Sequence, residues 1–116
     1  MAAPATVLPH QSIDFAHESE QRFAQLLDFY DVAWLYEPTT FVLHRDRSGQ
    51  VSNAFTPDFY LPQYDIYIEI TTLKQALVTK KNRKLRQLRQ VYPDITAIIL
   101  YQRDYKRLIQ KYRLAN

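Results

Sequence analysis

Two acidic residues interrupt apolar stretches of this sequence that otherwise read as β-strands. Asp58 lies in "TPDFYLP" and Glu69 lies in "DIYIEI". Side chains alternate across a strand, so the two carboxylates reach a common face if the two strands are neighbours. Two like charges held that close together cost free energy unless something between them compensates the charge.

A divalent cation is the simplest compensation. Mg²⁺ takes oxygen ligands and keeps several waters, which leaves coordination positions for a substrate. The alternative is that Asp58 only accepts hydrogen bonds in a turn, while Glu69 is half exposed on an edge strand. Tyr60 and Tyr67 are close to the two acids in sequence and could border such a site. If the substrate were a nucleic acid, its bases could stack on these two rings.

Basic residues are concentrated in the second half of the chain, although the net charge is only +3. The segment from Lys74 to Arg89 contains seven basic residues and no acidic one. This distribution predicts a polyanionic partner such as nucleic acid. The residues expected to contact it are Lys74, Lys80, Arg83, Lys84 and Arg86. The alternative is a solvated helix face, the common fate of a charge run.

The composition excludes several kinds of functional site and indicates the domain organisation of the protein. The 116 residues predict one domain, residues 13–116, preceded by a loose arm over residues 1–12. The chain has no cysteine, which excludes disulfides, thiolate zinc sites and a cysteine nucleophile. With Gly49 as the single glycine there is no Gly-rich phosphate loop. No membrane span or signal peptide is recognisable, and we expect a cytoplasmic protein with no membrane partner.

The elements that must position the acids follow from periodicity. A first helix is expected after a cap at Ser12 or Asp14, followed by a short strand in "VAWLYEP". The stretch "TTFVLHRDRSGQVSNAFTPDFYLP" predicts a hairpin that turns near Gly49. After the strand "DIYIEI" come a helix from about Val78 to Tyr92, the apolar strand "ITAIILY" and a last helix in "DYKRLIQKYRL". An apolar strand after a helix predicts a parallel crossover in a mixed sheet.

The combination "WLYEP", "TPDFYLP" and "YIEI", in this order of elements, resembles the PD-(D/E)XK nuclease superfamily. The resemblance implies an α/β fold with the restriction-endonuclease-like αβββαβ core, a mixed sheet flanked by helices. It also implies that Asp58, Glu69 and the Ile70 carbonyl hold Mg²⁺, with Mn²⁺ as a substitute. In similar small branches an acid of the first helix completes the site. Glu20 matches it, because its spacing from Phe23 puts it near the apolar face.

The run "ITTLKQALVTKKNRKLRQLRQVYPD" is more closely similar to bacterial domains found alone or appended to hypoxanthine phosphoribosyltransferases. The sequence departs from the superfamily at Thr71, where the pattern has a catalytic lysine. Lys81 is the candidate for a migrated lysine, because it shares the helical stripe of Val78 and Leu85. Lys84 and Lys74 are the next candidates for the same role. The alternative is that Lys81 only extends its stem to solvent.

The resemblance therefore implies a magnesium-dependent endonuclease, a hydrolase of nucleic acid with DNA more favoured than RNA. Glu20, Asp58, Glu69 and Lys81 are its expected catalytic residues. Two alternatives stay open. One is a catalytically degenerate module that binds nucleic acid, and the other is an accessory domain that binds a partner enzyme. Many nucleases of this superfamily form dimers to cut both strands of a duplex, so the resemblance is compatible with a homodimer.

Overall fold

The computed structural model describes residues 13–71, 75–101, 104 and 107. The elements are, in chain order, α1 (Glu18–Phe29), β1 (Leu35–Tyr36), β2 (Phe41–Arg45), β3 (Val51–Phe55), β4 (Phe59–Leu61), β5 (Ile66–Thr71), α2 (Gln75–Val91) and β6 (Ala97–Tyr101). The expected arm over residues 1–12 lies outside the described residues, as does the expected last helix apart from Asp104 and Arg107. No helix among the described residues is long and apolar enough to cross a membrane.

The fold is a mixed α/β structure built on a four-stranded sheet in the order β1-β4-β5-β6. β1 pairs with β4 and β4 with β5 in antiparallel fashion, whereas β5 and β6 are parallel. The predicted parallel crossover through α2 is confirmed by that last pairing. Strands β2 and β3 form a separate two-stranded sheet.

The hairpin of β2 and β3 turns at Gly49 as predicted, with Gly49 at a φ of 88° that side-chain-bearing residues rarely adopt. Asp46 stabilises the turn, because its Oδ1 accepts hydrogen bonds from the backbone N–H groups of Ser48 and Gln50. The predicted second arm is wrong beyond Phe55. The chain leaves the hairpin there and enters the main sheet as β4, so "TPDFYLP" belongs to a different sheet from "VSNAF".

The main sheet is covered on both faces, which explains the almost continuous burial of β5. Ile66, Ile68 and Ile70 pack on one face with Phe23 and the rest of the α1 side. On the other face, Tyr67 packs against a cluster formed by the hairpin, α2 and β6. Its buried members are Phe41, Leu43, Phe55, Leu85, Leu88 and Ala97. Glu69 alternates with Ile68 and Ile70 along β5, and therefore belongs to the face of the hairpin and α2.

Both helices among the described residues begin at positions other than those expected. α1 starts at Glu18 after His17, which makes no side-chain capping hydrogen bond, and not after Asp14. α2 starts at Gln75, about one turn before Val78. The buried residues Val78, Leu85 and Leu88 give α2 the apolar stripe that the spacing predicts.

Candidate active site

Asp58 and Glu69 face each other across neighbouring antiparallel strands. The register pairs Phe59 with Ile68, so the preceding Asp58 lies opposite Glu69. The Asp58 backbone N–H donates to Glu69 Oε1 at 3.2 Å, and the Ile70 backbone N–H donates to Asp58 Oδ2 at 2.8 Å. Each carboxylate is thus oriented by the backbone of the opposing strand.

Both acids are buried, with only 7% of Asp58 and 9% of Glu69 exposed. The alternative of a half-exposed Glu69 on an edge strand is therefore wrong, because β5 lies between β4 and β6. Asp58 does accept a backbone hydrogen bond, but the donor Ile70 belongs to the neighbouring strand and not to a turn.

Lys81 reaches this pair from the facing helix α2. Its Nζ lies 3.2 Å from Glu69 Oε2 and donates to the Ile70 carbonyl oxygen at 2.6 Å. The lysine side chain is 21% exposed, so its stem is largely covered and its ammonium is held by the site. The alternative of a lysine that extends to solvent is wrong.

Thr71, the position of the usual lysine in the superfamily pattern, is only 2% exposed. It lies two residues after Glu69 and therefore on the same face of β5. The position thus faces the same side of the sheet as the acid but carries no charge. Lys81 supplies the ammonium that β5 does not.

Glu20 lies on α1 and is 4% exposed, and its charge acts on the pKa of both Asp58 and Glu69. Tyr36 donates its hydroxyl hydrogen to Glu20 Oε1 at an O···O distance of 2.5 Å, and Ala16 N–H donates to that hydroxyl oxygen at 3.1 Å. Burial, followed by the hydrogen bond to Glu20, raises the pKa of Tyr36. Sequence reasoning missed Tyr36 because its partner comes from a helix that precedes it by sixteen residues.

Among the described residues, Lys81 supplies the one ammonium that contacts the acid pair, and the pKa values of both Asp58 and Glu69 are raised in spite of it. Burial first, and the charge of Glu69 second, raise the pKa of Asp58 to about 8. Burial also raises the pKa of Glu69, although Lys81 opposes that shift. The charge of Glu20 adds to the shift at both carboxyls. The metal-free site therefore retains a proton at neutral pH.

The donor set fits a hard divalent cation. It offers the carboxylates of Asp58 and Glu69 and the Ile70 carbonyl, all of which present oxygen atoms. Within the part of the chain that the structure describes, no three His, Cys, Asp or Glu side chains are placed to hold an ion together. The fit therefore rests on two carboxylates and one carbonyl, with Glu20 engaged by Tyr36.

A surface pocket of about 360 Å³ opens beside the acids. It is lined by Ala54, Phe55, Thr56, Glu69, Lys80, Lys81 and Lys84. Lys84 Nζ donates to the Ala54 carbonyl at 2.8 Å, which fixes the lysine at the wall formed by β3. The predicted basic residues thus separate into two groups, because Arg83 and Arg86 are exposed and do not line this pocket. Lys74 lies outside the described residues.

Tyr60 and Tyr67 form a cross-strand pair with ring centroids 4.5 Å apart. The Tyr60 hydroxyl donates to Asp65 Oδ1, and the Tyr67 ring packs edge-on against Phe41. Tyr67 thus joins the main sheet to the hairpin, whereas Tyr60 contacts Tyr67 and Asp65. Neither ring lines the pocket beside the acids.

Comparison with protein-family models, curated proteins and solved structures finds no match to this chain. The chemistry of the site therefore stands on its geometry. A buried pair of carboxylates suited to a hard cation lies next to a pocket with three ammonium groups. Such an arrangement is suited to a substrate that brings phosphate oxygens to a metal ion.

Proposed function

We propose that this protein is a magnesium-dependent nuclease of the PD-(D/E)XK type that hydrolyses phosphodiester bonds in nucleic acid, with DNA preferred to RNA. The observation that carries the proposal is the group formed by Asp58, Glu69 and Lys81 beside a lysine-lined pocket. Each carboxylate accepts a backbone hydrogen bond that an uncharged amide oxygen could also accept, so the burial of two acids opposite each other favours a functional role.

The order of elements supports the same proposal. If the hairpin of β2 and β3 is treated as an insertion, the main sheet and its helices follow the order α1, β1, β4, β5, α2, β6. This is the αβββαβ succession that the resemblance implies. The two acids lie on β5 and just before β4, as the superfamily pattern requires.

In this proposal Asp58, Glu69 and the Ile70 carbonyl hold the ion, and Mn²⁺ can replace Mg²⁺. The bound ion supplies Lewis-acid polarisation of the phosphate and makes a water molecule more acidic. Lys81 stabilises negative charge that develops on the phosphate oxygens. Lys80 and Lys84 bind phosphate groups without reading base sequence. Glu20, fixed by Tyr36, adds negative charge that favours a cation.

Cleavage assays with side-by-side preparations test the proposal. The substrates are supercoiled plasmid, single-stranded DNA and RNA, each with Mg²⁺, Mn²⁺ or EDTA. We expect the wild-type protein to cleave DNA only with the metal ions, and Asp58→Asn and Lys81→Met to be inactive. Asp94→Asn is the matched control, because Asp94 is exposed and distant in sequence from the site. Cleavage that persists in Asp58→Asn would contradict the proposal.

A degenerate module that binds nucleic acid or a partner enzyme is the second candidate function. The observation that favours it is Thr71 at the usual lysine position, together with a Lys81 ammonium already engaged by Glu69 and Ile70. Salt-sensitive nucleic-acid binding with no cleavage on any substrate, in wild type and in Asp94→Asn alike, would support this candidate over the nuclease.

A further inference from the structure

The Lys81 ammonium occupies the position that the proposed site offers to a cation. Two of the three proposed metal-ligand groups are Glu69 and the Ile70 carbonyl, and Lys81 Nζ lies 3.2 Å and 2.6 Å from oxygens of these two groups. A divalent ion needs ligand oxygens at about 2.1 Å. The ammonium and the ion therefore compete for the same oxygens.

The pocket beside the acids offers Lys81 a second position. Lys81 lines this pocket together with Lys80, Lys84 and Thr56, so its flexible stem already borders both places. Among the residues that the structure describes, Glu69 is the only acid that lines the pocket, against three lysines. An ammonium released from Glu69 would join two others and would need an anion there. A phosphate group carries that charge and accepts hydrogen bonds from lysine.

We propose that the pocket formed by Thr56, Lys80, Lys81 and Lys84 is a phosphate subsite whose occupation is coupled to the metal site through Lys81. Without ligands, Lys81 neutralises Glu69. With a divalent ion at the acids, Lys81 is released to the phosphate, so ion and phosphate favour each other's binding. The inference rests on the proposed metal site. It adds that Lys81 contacts Glu69 in the absence of the ion and the phosphate in its presence.

Coupling of this kind is reciprocal and measurable without catalysis. The probes are Mn²⁺ and a short oligothymidylate with phosphorothioate linkages, which resist hydrolysis. Calorimetry gives the Kd of Mn²⁺ with and without saturating oligonucleotide. For the wild-type protein we expect the oligonucleotide to tighten Mn²⁺ binding at least ~5-fold, the lower end of typical couplings between sites.

Lys81→Met removes the shared group and keeps the apolar stem. We expect it to bind Mn²⁺ more tightly than wild type when no oligonucleotide is present, and to show little further tightening when it is added. Arg47→Met is the matched control, because it removes one positive charge from an exposed position in the hairpin turn, away from the predicted nucleic-acid-binding residues. It should retain both the wild-type Mn²⁺ affinity and the coupling.

Lys84→Met provides a test that does not depend on the stability of the Lys81 variant. It should weaken oligonucleotide binding while leaving the affinity for Mn²⁺ alone unchanged. Equal Mn²⁺ affinity in wild type and folded Lys81→Met, or a wild-type Mn²⁺ affinity that ignores the oligonucleotide, would overturn the coupling. If Mn²⁺ binds to neither protein, the proposed metal site itself is wrong, and with it the nuclease proposal.

Discussion

Asp58→Asn should make the metal-free protein more stable, and the gain should grow with pH. Burial and the charge of Glu69 raise the pKa of the Asp58 carboxyl in the folded protein to about 8, from an ordinary value of 3.8. A group whose folded pKa is raised stabilises the fold fully below its unfolded pKa, and the contribution is lost as pH rises through the folded pKa. For Asp58 the loss therefore extends from about pH 4 to about pH 8.

The magnitude follows from the shift. A rise of the Asp58 pKa from 3.8 to about 8, at about 1.4 kcal/mol per pH unit, corresponds to a loss on the order of 6 kcal/mol between those two pH values. Asn has nearly the same shape, and its Oδ1 can still accept the Ile70 backbone N–H. The substitution thus removes the titrating charge from a buried site without removing the cross-strand hydrogen bond.

Urea denaturation in EDTA at pH 5, 6, 7 and 8 measures the effect. The free energy of unfolding of Asp58→Asn should exceed that of wild type by about 1.5 kcal/mol at pH 5, and the difference should grow by about 1.4 kcal/mol per pH unit toward pH 8. Asp94→Asn should remain parallel to wild type. Adding Mg²⁺ at pH 8 should stabilise wild type and not Asp58→Asn. Parallel pH curves for wild type and Asp58→Asn would refute the assigned proton on the acid pair.

Three further outcomes test other contacts. Tyr36→Phe leaves Glu20 without its hydroxyl donor and should cost about 1.5–3 kcal/mol in urea denaturation; a loss below about 0.5 kcal/mol would contradict the role of this bond. Thr71→Lys places an ammonium at a position only 2% exposed, so thermal unfolding should show a large loss of stability; the same change in a Lys81→Met background should cost less, since Glu69 then lacks a partner. Arg83→Glu with Arg86→Glu should weaken DNA binding and flatten its salt dependence, with an unfolding free energy within about 0.5 kcal/mol of wild type because both residues are exposed; unchanged DNA binding would mean that this side of α2 is only solvated.

The sequence was sufficient for the parts of the site that follow from strict periodicity. Alternation along "DIYIEI" predicted that Glu69 lies on the other face of its strand from Ile68 and Ile70. The helical spacing of Val78 and Leu85 predicted that Lys81 lies on the inward side of its helix. Both inferences need only the local backbone geometry, so they do not depend on how distant segments pack. What these residues do chemically stays a prediction.

Features set by tertiary contacts could not be read in the same way. The break between β3 and β4 depends on which sheet each half joins, and Pro57 indicates only an interrupted ladder, without indicating that the chain continues in a different sheet. The start of α1 at Glu18 uses no side-chain cap, so no capping residue signals it. The bond between Tyr36 and Glu20 joins a strand to a helix, and neither residue type identifies its partner.

The hairpin of β2 and β3 leaves the main sheet after β1 and returns to it at β4, with its two ends close together. The Glu37 backbone N–H donates to the Asp58 carbonyl at 2.8 Å, and the Thr40 and Thr56 hydroxyls lie 2.8 Å apart at the hairpin's base. The chain therefore returns to its point of departure, and residues 38–57 could be shortened or exchanged without moving the ends they connect. The limit on such exchange is set by α2, because Phe41, Leu43 and Phe55 cover Leu85 and Leu88. A replacement segment of any length must present an apolar face to α2. It would also form one wall of the pocket beside the acids, which Ala54, Phe55 and Thr56 now form.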